Sequence, residues 1–145
     1  MKLGRLNHIG VATPSIENAI EFYREVMGAT HIGEPFDLPE QGVKVCFVST
    51  PSDGAMLGTQ IELIEPLDDK SPITSFLVKN PSGGQHHICF EVDDIEQARA
   101  EFENMGKRIL APTRIGAHGT PIFFVHPKDM MGQLTEIMES PKEKH

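Results

Sequence analysis

From Leu6 to Thr13 the chain alternates, with Ile9 and Val11 on one side and His8, Gly10 and Ala12 on the other, a period of two that predicts a β-strand. The period then lengthens. Ile16, Ala19, Ile20, Tyr23 and Met27 recur at helical spacing, and Glu17, Glu21, Arg24 and Glu25 take the wet side. Ser15, or Thr13 ahead of Pro14, can cap this helix, and Gly28 can end it in a left-handed turn. Three β-rich stretches follow, at residues 34–36, 43–49 and 60–64. The second half repeats the progression. A strand is expected at 86–92. A helix follows with the stripe Ile95, Ala98, Phe102 and Met105, opened by a capping box of Asp94 and Gln97 and stopped by Gly106. Strands are then expected at 109–112, 122–126 and 133–138.

A shift of 79 positions makes the repetition explicit: His8 falls on His87, Ile9 on Ile88, Ile16 on Ile95, Glu17 on Glu96 and Ala19 on Ala98. Ile61-Glu62-Leu63-Ile64-Glu65 answers Thr135-Glu136-Ile137-Met138-Glu139. The unit is βαβββ, used twice: module one spans about residues 5–66, a linker about 67–84, and module two about 85–140 of one domain, 1–145. Within the linker, residues 73–79 are expected to form a short helix, broken by Asn80-Pro81-Ser82-Gly83-Gly84. The expected class is α+β: two βαβββ modules forming a curved mixed sheet around a metal-containing cavity, with the helices covering one face and leaving the other for chemistry.

Composition narrows the functions open to such a fold. At 145 residues and 39% hydrophobic content the chain can bury a core without disulfides or a structural metal. The net charge of -8 argues against nucleic acid, which needs a clustered basic face. Without a long apolar run or a secretory signal, the expectation is a soluble cytoplasmic protein, with no membrane partner and a small-molecule ligand. Cys46 and Cys89 lie in separate β-patterned runs, so both are expected as small buried hydrophobes. The tail Lys142-Glu143-Lys144-His145 is expected to be polar and frayed.

Strand parity selects the chemistry. His8, Glu62, His87 and Glu136 each oppose the apolar face of their own strand, and they occupy repeat-equivalent positions. Two imidazoles and two carboxylates suit a mid-series divalent ion such as Co²⁺, Ni²⁺, Mn²⁺ or Zn²⁺. Octahedral coordination would leave two positions for a chelating substrate. His86 has the wrong parity. Glu65 and Glu139 follow the ligand carboxylates by three residues, change face, and are expected as surface charges at strand ends. His31, His118 and His126 lack repeat partners and are expected as non-ligands.

With βαβββ duplicated and ligands in the order His, Glu, His, Glu, the chain resembles the vicinal-oxygen-chelate, or glyoxalase I, superfamily. Within it the wording is closest to the methylmalonyl-CoA epimerase family. The segments carrying this are Leu6-Asn7-His8-Ile9-Gly10-Val11-Ala12, Ser71-Pro72-Ile73 through Lys79-Asn80, Gly83-Gly84-Gln85-His86-His87-Ile88-Cys89, Ile115-Gly116-Ala117-His118-Gly119 and His126-Pro127-Lys128-Asp129. The resemblance implies an isomerase that inverts C2 of methylmalonyl-CoA, and of ethylmalonyl-CoA if the pocket admits it, through a metal-stabilised enolate. It implies Glu136 as both ligand and catalytic acid/base, Gly116, Ala117, His118 and Gly119 as substrate-binding, and a homodimer. Some members carry a second acid/base Glu in the strand after a Gln-Gly-Val motif. Here Gln41-Gly42-Val43 leads to Val45 instead, and Glu91 is the carboxylate of matching parity left to consider. Arg114, Lys128, Lys107 and Arg108 are available for coenzyme A phosphates. The alternatives are a lactoylglutathione lyase of the glyoxalase I type and a metal-free ligand-sequestering protein. An iron-dependent extradiol dioxygenase would need only three ligands.

Overall fold

The computed structural model describes residues 1–52, 54 and 58–142; of the tail expected at Lys142-Glu143-Lys144-His145, all but Lys142 lies outside them. The element order is β1 (Leu6–Ala12), α1 (Ile16–Glu25), β2 (Phe36–Leu38), β3 (Val43–Ser49), β4 (Gln60–Pro66), α2 (Pro72–Lys79), β5 (Gly84–Val92), α3 (Ile95–Asn104), β6 (Ile109–Ile115), β7 (Pro121–Val125) and β8 (Thr135–Glu139). The class is α+β. The residues cluster into two compact units, one of His8–His86 and one of Met1–Asn7 with His87–His145.

Each module carries the same strand order. In the first, β1 pairs parallel with β4, β4 antiparallel with β3, and β3 antiparallel with β2. In the second, β5 pairs parallel with β8, β8 antiparallel with β7, and β7 antiparallel with β6. One face of each sheet packs on its helix. Ile16 of α1 clusters with Cys46, Val48 and Leu63, joined by Val11, Ala19, Ile20, Tyr23 and Ile61. Ile95, Ala98 and Phe102 of α3 cluster with Val92, Phe123, Val125 and Ile137. Burial of such side chains contributes roughly 1.5–3 kcal/mol each.

The helix starts are capped as expected, although the Gln97 side chain donates to Glu101 Oε1 at 3.4 Å instead of closing a capping box with Asp94. Ser15 Oγ accepts from the Asn18 N–H, and Asp94 Oδ1 accepts from the Gln97 N–H at 3.0 Å. The helix ends do not follow the sequence pattern fully. Met27 and Met105 are 63% and 58% exposed, because α1 and α3 end at Glu25 and Asn104 and both methionines lie past the last apolar turn. Gly28 and Gly106 adopt the expected left-handed φ of 67° and 75°. Strand β2 forms at Phe36–Leu38, later than expected, because Gly42 at φ 71° closes a hairpin whose register puts Leu38 opposite Val43. Strand β6 runs on to Ile115 through an irregularity at Leu110/Arg114, with Ala111 at φ 67°.

Glu65 and Glu139 require a correction. They are not idle surface charges. Glu65 Oε1 accepts from the Ile16 N–H at 2.9 Å, and Glu139 Oε1 accepts from the Ile95 N–H at 3.2 Å. Each carboxylate satisfies an otherwise orphaned amide at the positive end of its own module's helix and ties the last strand to that helix. Glu65→Ala and Glu139→Ala are each expected to lower unfolding stability by about 1 kcal/mol, measured as a reduced urea midpoint with unchanged slope.

Candidate metal centre and acid/base site

His8 is carried by β1 and Glu62 by the neighbouring β4, whose register pairs Gly10 with Glu62. The two side chains leave on the face away from α1, and His8 Nε2 lies 3.4 Å from Glu62 Oε2. The second module repeats this. His87 on β5 and Glu136 on β8 sit where Cys89 pairs with Glu136, and His87 Nε2 lies 3.4 Å from Glu136 Oε1. All four are buried, with 0%, 6%, 3% and 5% of their surface exposed in chain order. Buried ionisable groups need a partner such as an opposite charge or a metal, so each pair is suited to hold a cation between its nitrogen and its oxygen.

A second duplicated feature escaped the sequence reading. Phe47 stands opposite Glu62, and its ring meets His8 edge-on at 6.2 Å. Phe124 stands opposite Glu136 and meets His87 edge-on at 5.4 Å. These phenyl edges fix the tilt of each imidazole. The available signal was the dipeptide Phe-Val, at Phe47-Val48 and again at Phe124-Val125, in the strand before each ligand Glu. Cys89 was also underread. It is fully buried, as expected, but its thiol lies 3.4 Å from Glu136 Oε2 and 3.9 Å from Met138 Sδ. Cys46 keeps the bland role, buried against α1 with its thiol donating to the Gly33 carbonyl at 3.3 Å.

Two strands fail to supply a second carboxylate base. Val45 shares the face of Phe47 and is 1% exposed, an apolar wall where a proton carrier was sought. Glu91 is committed elsewhere: its Oε2 accepts from Asn7 Nδ2 at 2.9 Å and from Arg5 Nε at 3.1 Å. The backbone locks the same place, with the Gly4 N–H donating to the Glu91 carbonyl and the Glu91 N–H to the Arg5 carbonyl, both at 2.9 Å. Burial opposes the charged form of Glu91, but hydrogen bonds from Asn7 and Arg5, the Arg5 charge and a bond from Ser140 outweigh it and hold the pKa below the ordinary carboxylate value. A lowered folded pKa means stability that is present above the unfolded value and lost as pH falls through the folded one. Glu91→Gln is therefore expected to destabilise at pH 7 and to flatten the acid limb below about pH 4.5, measured by thermal melts across pH.

Three other histidines make local contacts of their own. The His86 ring packs edge-on against Phe76 of α2 at 5.3 Å, His31 Nδ1 bonds the Thr30 hydroxyl, and His126 Nδ1 accepts from the Lys128 N–H. The turn at Gly116–Gly119 is closed by the Gly116 N–H donating to the Thr120 carbonyl and the Gly119 N–H to the Gly116 carbonyl. A Cβ at Gly116 would stand 2.9 Å from Ile122, which packs with Cys89 and Met138, so this turn lies against the face that carries Glu136. Of the basic residues considered for phosphate, Arg108 is engaged: Nε and Nη2 clasp both oxygens of Asp129 at 2.9 and 3.2 Å. That clasp holds the Asp129 carboxyl far below the usual range.

A duplicated βαβββ chain with paired, buried His and Glu side chains is the architecture of one protein class. Residues 7–124 match the model of the Glyoxalase/Bleomycin resistance protein/Dioxygenase superfamily, and the chain belongs to that superfamily. Within it the chain is similar to methylmalonyl-CoA epimerases, as the sequence wording implied. It is 47% identical over 137 residues to the ethylmalonyl-CoA/methylmalonyl-CoA epimerase of Cereibacter sphaeroides, covering 93% of this chain and 97% of that one. It is also 47% identical over 140 residues to the mitochondrial methylmalonyl-CoA epimerase of Mus musculus, covering 96% and 75%. Among solved structures, a variant of Streptomyces coelicolor methylmalonyl-CoA epimerase in complex with 2-nitronate-propionyl-CoA aligns with a TM-score of 0.87 at 32% identity, covering 97% and 100%. A methylmalonyl-CoA epimerase in complex with methylmalonyl-CoA and NH4+ aligns with a TM-score of 0.86 at 33% identity, covering 96% of each chain.

Proposed function

We propose that the protein is an isomerase that inverts C2 of methylmalonyl-CoA, and of ethylmalonyl-CoA, using a divalent ion held by His8, Glu62, His87 and Glu136. The observation that carries this is the pair of buried His–Glu contacts at equivalent register, in a chain 47% identical to a protein bearing both substrates in its name. Two imidazole nitrogens and two carboxylates, without a thiolate in the set, fit Co²⁺ first and Zn²⁺, Ni²⁺ or Mn²⁺ after it. When bound, the ion supplies Lewis acidity that polarises the thioester carbonyl and so lowers the barrier to losing the C2 proton.

The chain's own residues do the rest. Glu136 accepts the C2 proton; the C–H electron pair moves into the C1–C2 bond, and negative charge gathers on the thioester oxygen. A water, or another group on the opposite face, gives a proton to C2 as the enolate electron pair re-forms the C–H bond, and Glu136 releases the proton it took to solvent, which completes inversion and returns the carboxylate. The imidazoles of His8 and His87, fixed by Phe47 and Phe124, keep the donor geometry. The Gly116, Ala117, His118 and Gly119 turn shapes the acyl pocket next to Ile122. Val45 and Phe47 exclude water from the first module's half of the site, which strengthens each electrostatic contact made there.

The test is proton exchange in deuterated water, followed by NMR at C2. Methylmalonyl-CoA is expected to exchange, with ethylmalonyl-CoA close behind, since one methylene in a pocket is worth only about 1–3 kcal/mol. Turnover of the glutathione hemithioacetal without C2 exchange would overturn the reading in favour of a lactoylglutathione lyase. The proposal extends to a homodimer, to be read from light scattering. Among the described residues, no helix is long and apolar enough to cross a membrane.

A further inference from the structure

The two modules carry their His, Phe and Glu side chains at equivalent positions. Phe47 faces Glu62 as Phe124 faces Glu136, and His8 corresponds to His87. At the strand position directly paired with each ligand carboxylate, however, the first module has Gly10 and the second has Cys89. Glycine offers no side-chain donor. The Cys89 thiol stands 3.4 Å from Glu136 Oε2, within reach of a weak S–H···O bond, while Glu136 Oε1 is the oxygen turned to His87. Met138 Sδ at 3.9 Å is the competing acceptor, and a carboxylate is the stronger of the two.

We propose that Cys89 is a positioning residue for the epimerisation, and that its thiol distinguishes Glu136 from Glu62 by holding one oxygen of the reacting carboxylate. The two oxygens of Glu136 thereby acquire different tasks: Oε2 is pinned by the thiol and Oε1 stays on the imidazole side. The paired position of β1 is Gly10, which carries no side chain. The duplicated scaffold supplies two carboxylates of the same type, and the Cys89 thiol, standing where β1 has Gly10, orients Glu136 toward the C2 proton. In this role the thiol acts through Glu136, and its burial on a β-strand gives it the rigidity that orientation requires.

This inference rests on the epimerase reading, and the experiment separates the two. Wild type, Cys89→Ala and Cys89→Ser are compared for C2 exchange of methylmalonyl-CoA in deuterated water, for Co²⁺ affinity by calorimetry and for melting temperature. Cys89→Ala is expected to lower kcat by about 10- to 100-fold, the range found when a residue supporting a ligand is lost. KM and Co²⁺ affinity should change less than about threefold, a small shift against that range. Cys89→Ser, which keeps an O–H donor on a similar side chain, should recover most of kcat. Unchanged kcat in Cys89→Ala, or a serine variant as slow as the alanine one, overturns the inference. So does a fall in Co²⁺ affinity or melting temperature that accounts for the lost rate. Absence of exchange in wild type would instead overturn the epimerase reading itself.

Discussion

Glu136→Gln should stop deuterium from entering C2 of methylmalonyl-CoA. The substitution keeps the size of the side chain and one oxygen donor, so the contact with His87 at 3.4 Å and the packing of Phe124 should survive. What it removes is the ability to accept a proton. Positioned acid/base groups contribute roughly 10² to 10⁴ in rate, and a loss in that range is expected in kcat, with melting temperature close to wild type. Glu62→Gln is the informative partner. If Glu62 serves only to hold the ion, its variant should lose Co²⁺ affinity and regain rate at saturating metal, whereas Glu136→Gln should not. Exchange retained within tenfold in Glu136→Gln would place the base on another residue.

The second large effect concerns the imidazoles. His8→Ala and His87→Ala should each weaken Co²⁺ binding by more than the roughly 10- to 100-fold that follows loss of a group merely supporting a ligand. Calorimetry on dialysed protein measures this directly. Each variant also leaves a buried carboxylate, Glu62 or Glu136, without its neighbour, so the apoprotein should lose stability as well. Prolonged chelation of wild type should abolish exchange yet leave a folded chain, because both modules have apolar clusters of their own on the helix side. Re-addition of Co²⁺ should restore exchange and raise the melting temperature. A stabilisation of about 2.7 kcal/mol is expected at free metal 100 times the dissociation constant. Activity that persists at full rate without any metal would remove the ion from the reaction.

Much of this molecule was legible before any coordinates, and the reason is periodicity. The two buried His–Glu pairs could be read because their members interrupt strands whose other face is apolar, and because duplication presented the same interruption twice. Helix starts at Ser15 and Asp94 were legible for a local reason, the side chain bonding an amide three residues on. Features that depend on neighbouring strands were not. Strand β2 sits where the Gly42 hairpin places it, which no pattern within residues 34–38 encodes. Phe47 and Phe124 read as ordinary strand hydrophobics, since their importance comes from standing opposite Glu62 and Glu136. Glu65 and Glu139 were misread because parity gives the face a carboxylate points to but not the helix end waiting there. Glu91 shared the parity of His87 and so looked available; its bonds to Arg5 and Asn7 join residues more than 80 positions apart, beyond any local pattern.

Those same bonds bear on the order in which the chain can fold. Residues 1–7 are made more than 80 residues before their partner Glu91, and the unit they complete also needs β8. The stretch from His8 to His86 holds its own strands and helices and can form while synthesis continues. The opening segment must wait. Contacts of such long sequence separation form late, because loop closure is costly before the contacts repay it. Refolding from denaturant should accordingly show Arg5 and Asn7 substitutions speeding unfolding more than they slow folding, as expected of contacts made after the rate-limiting step.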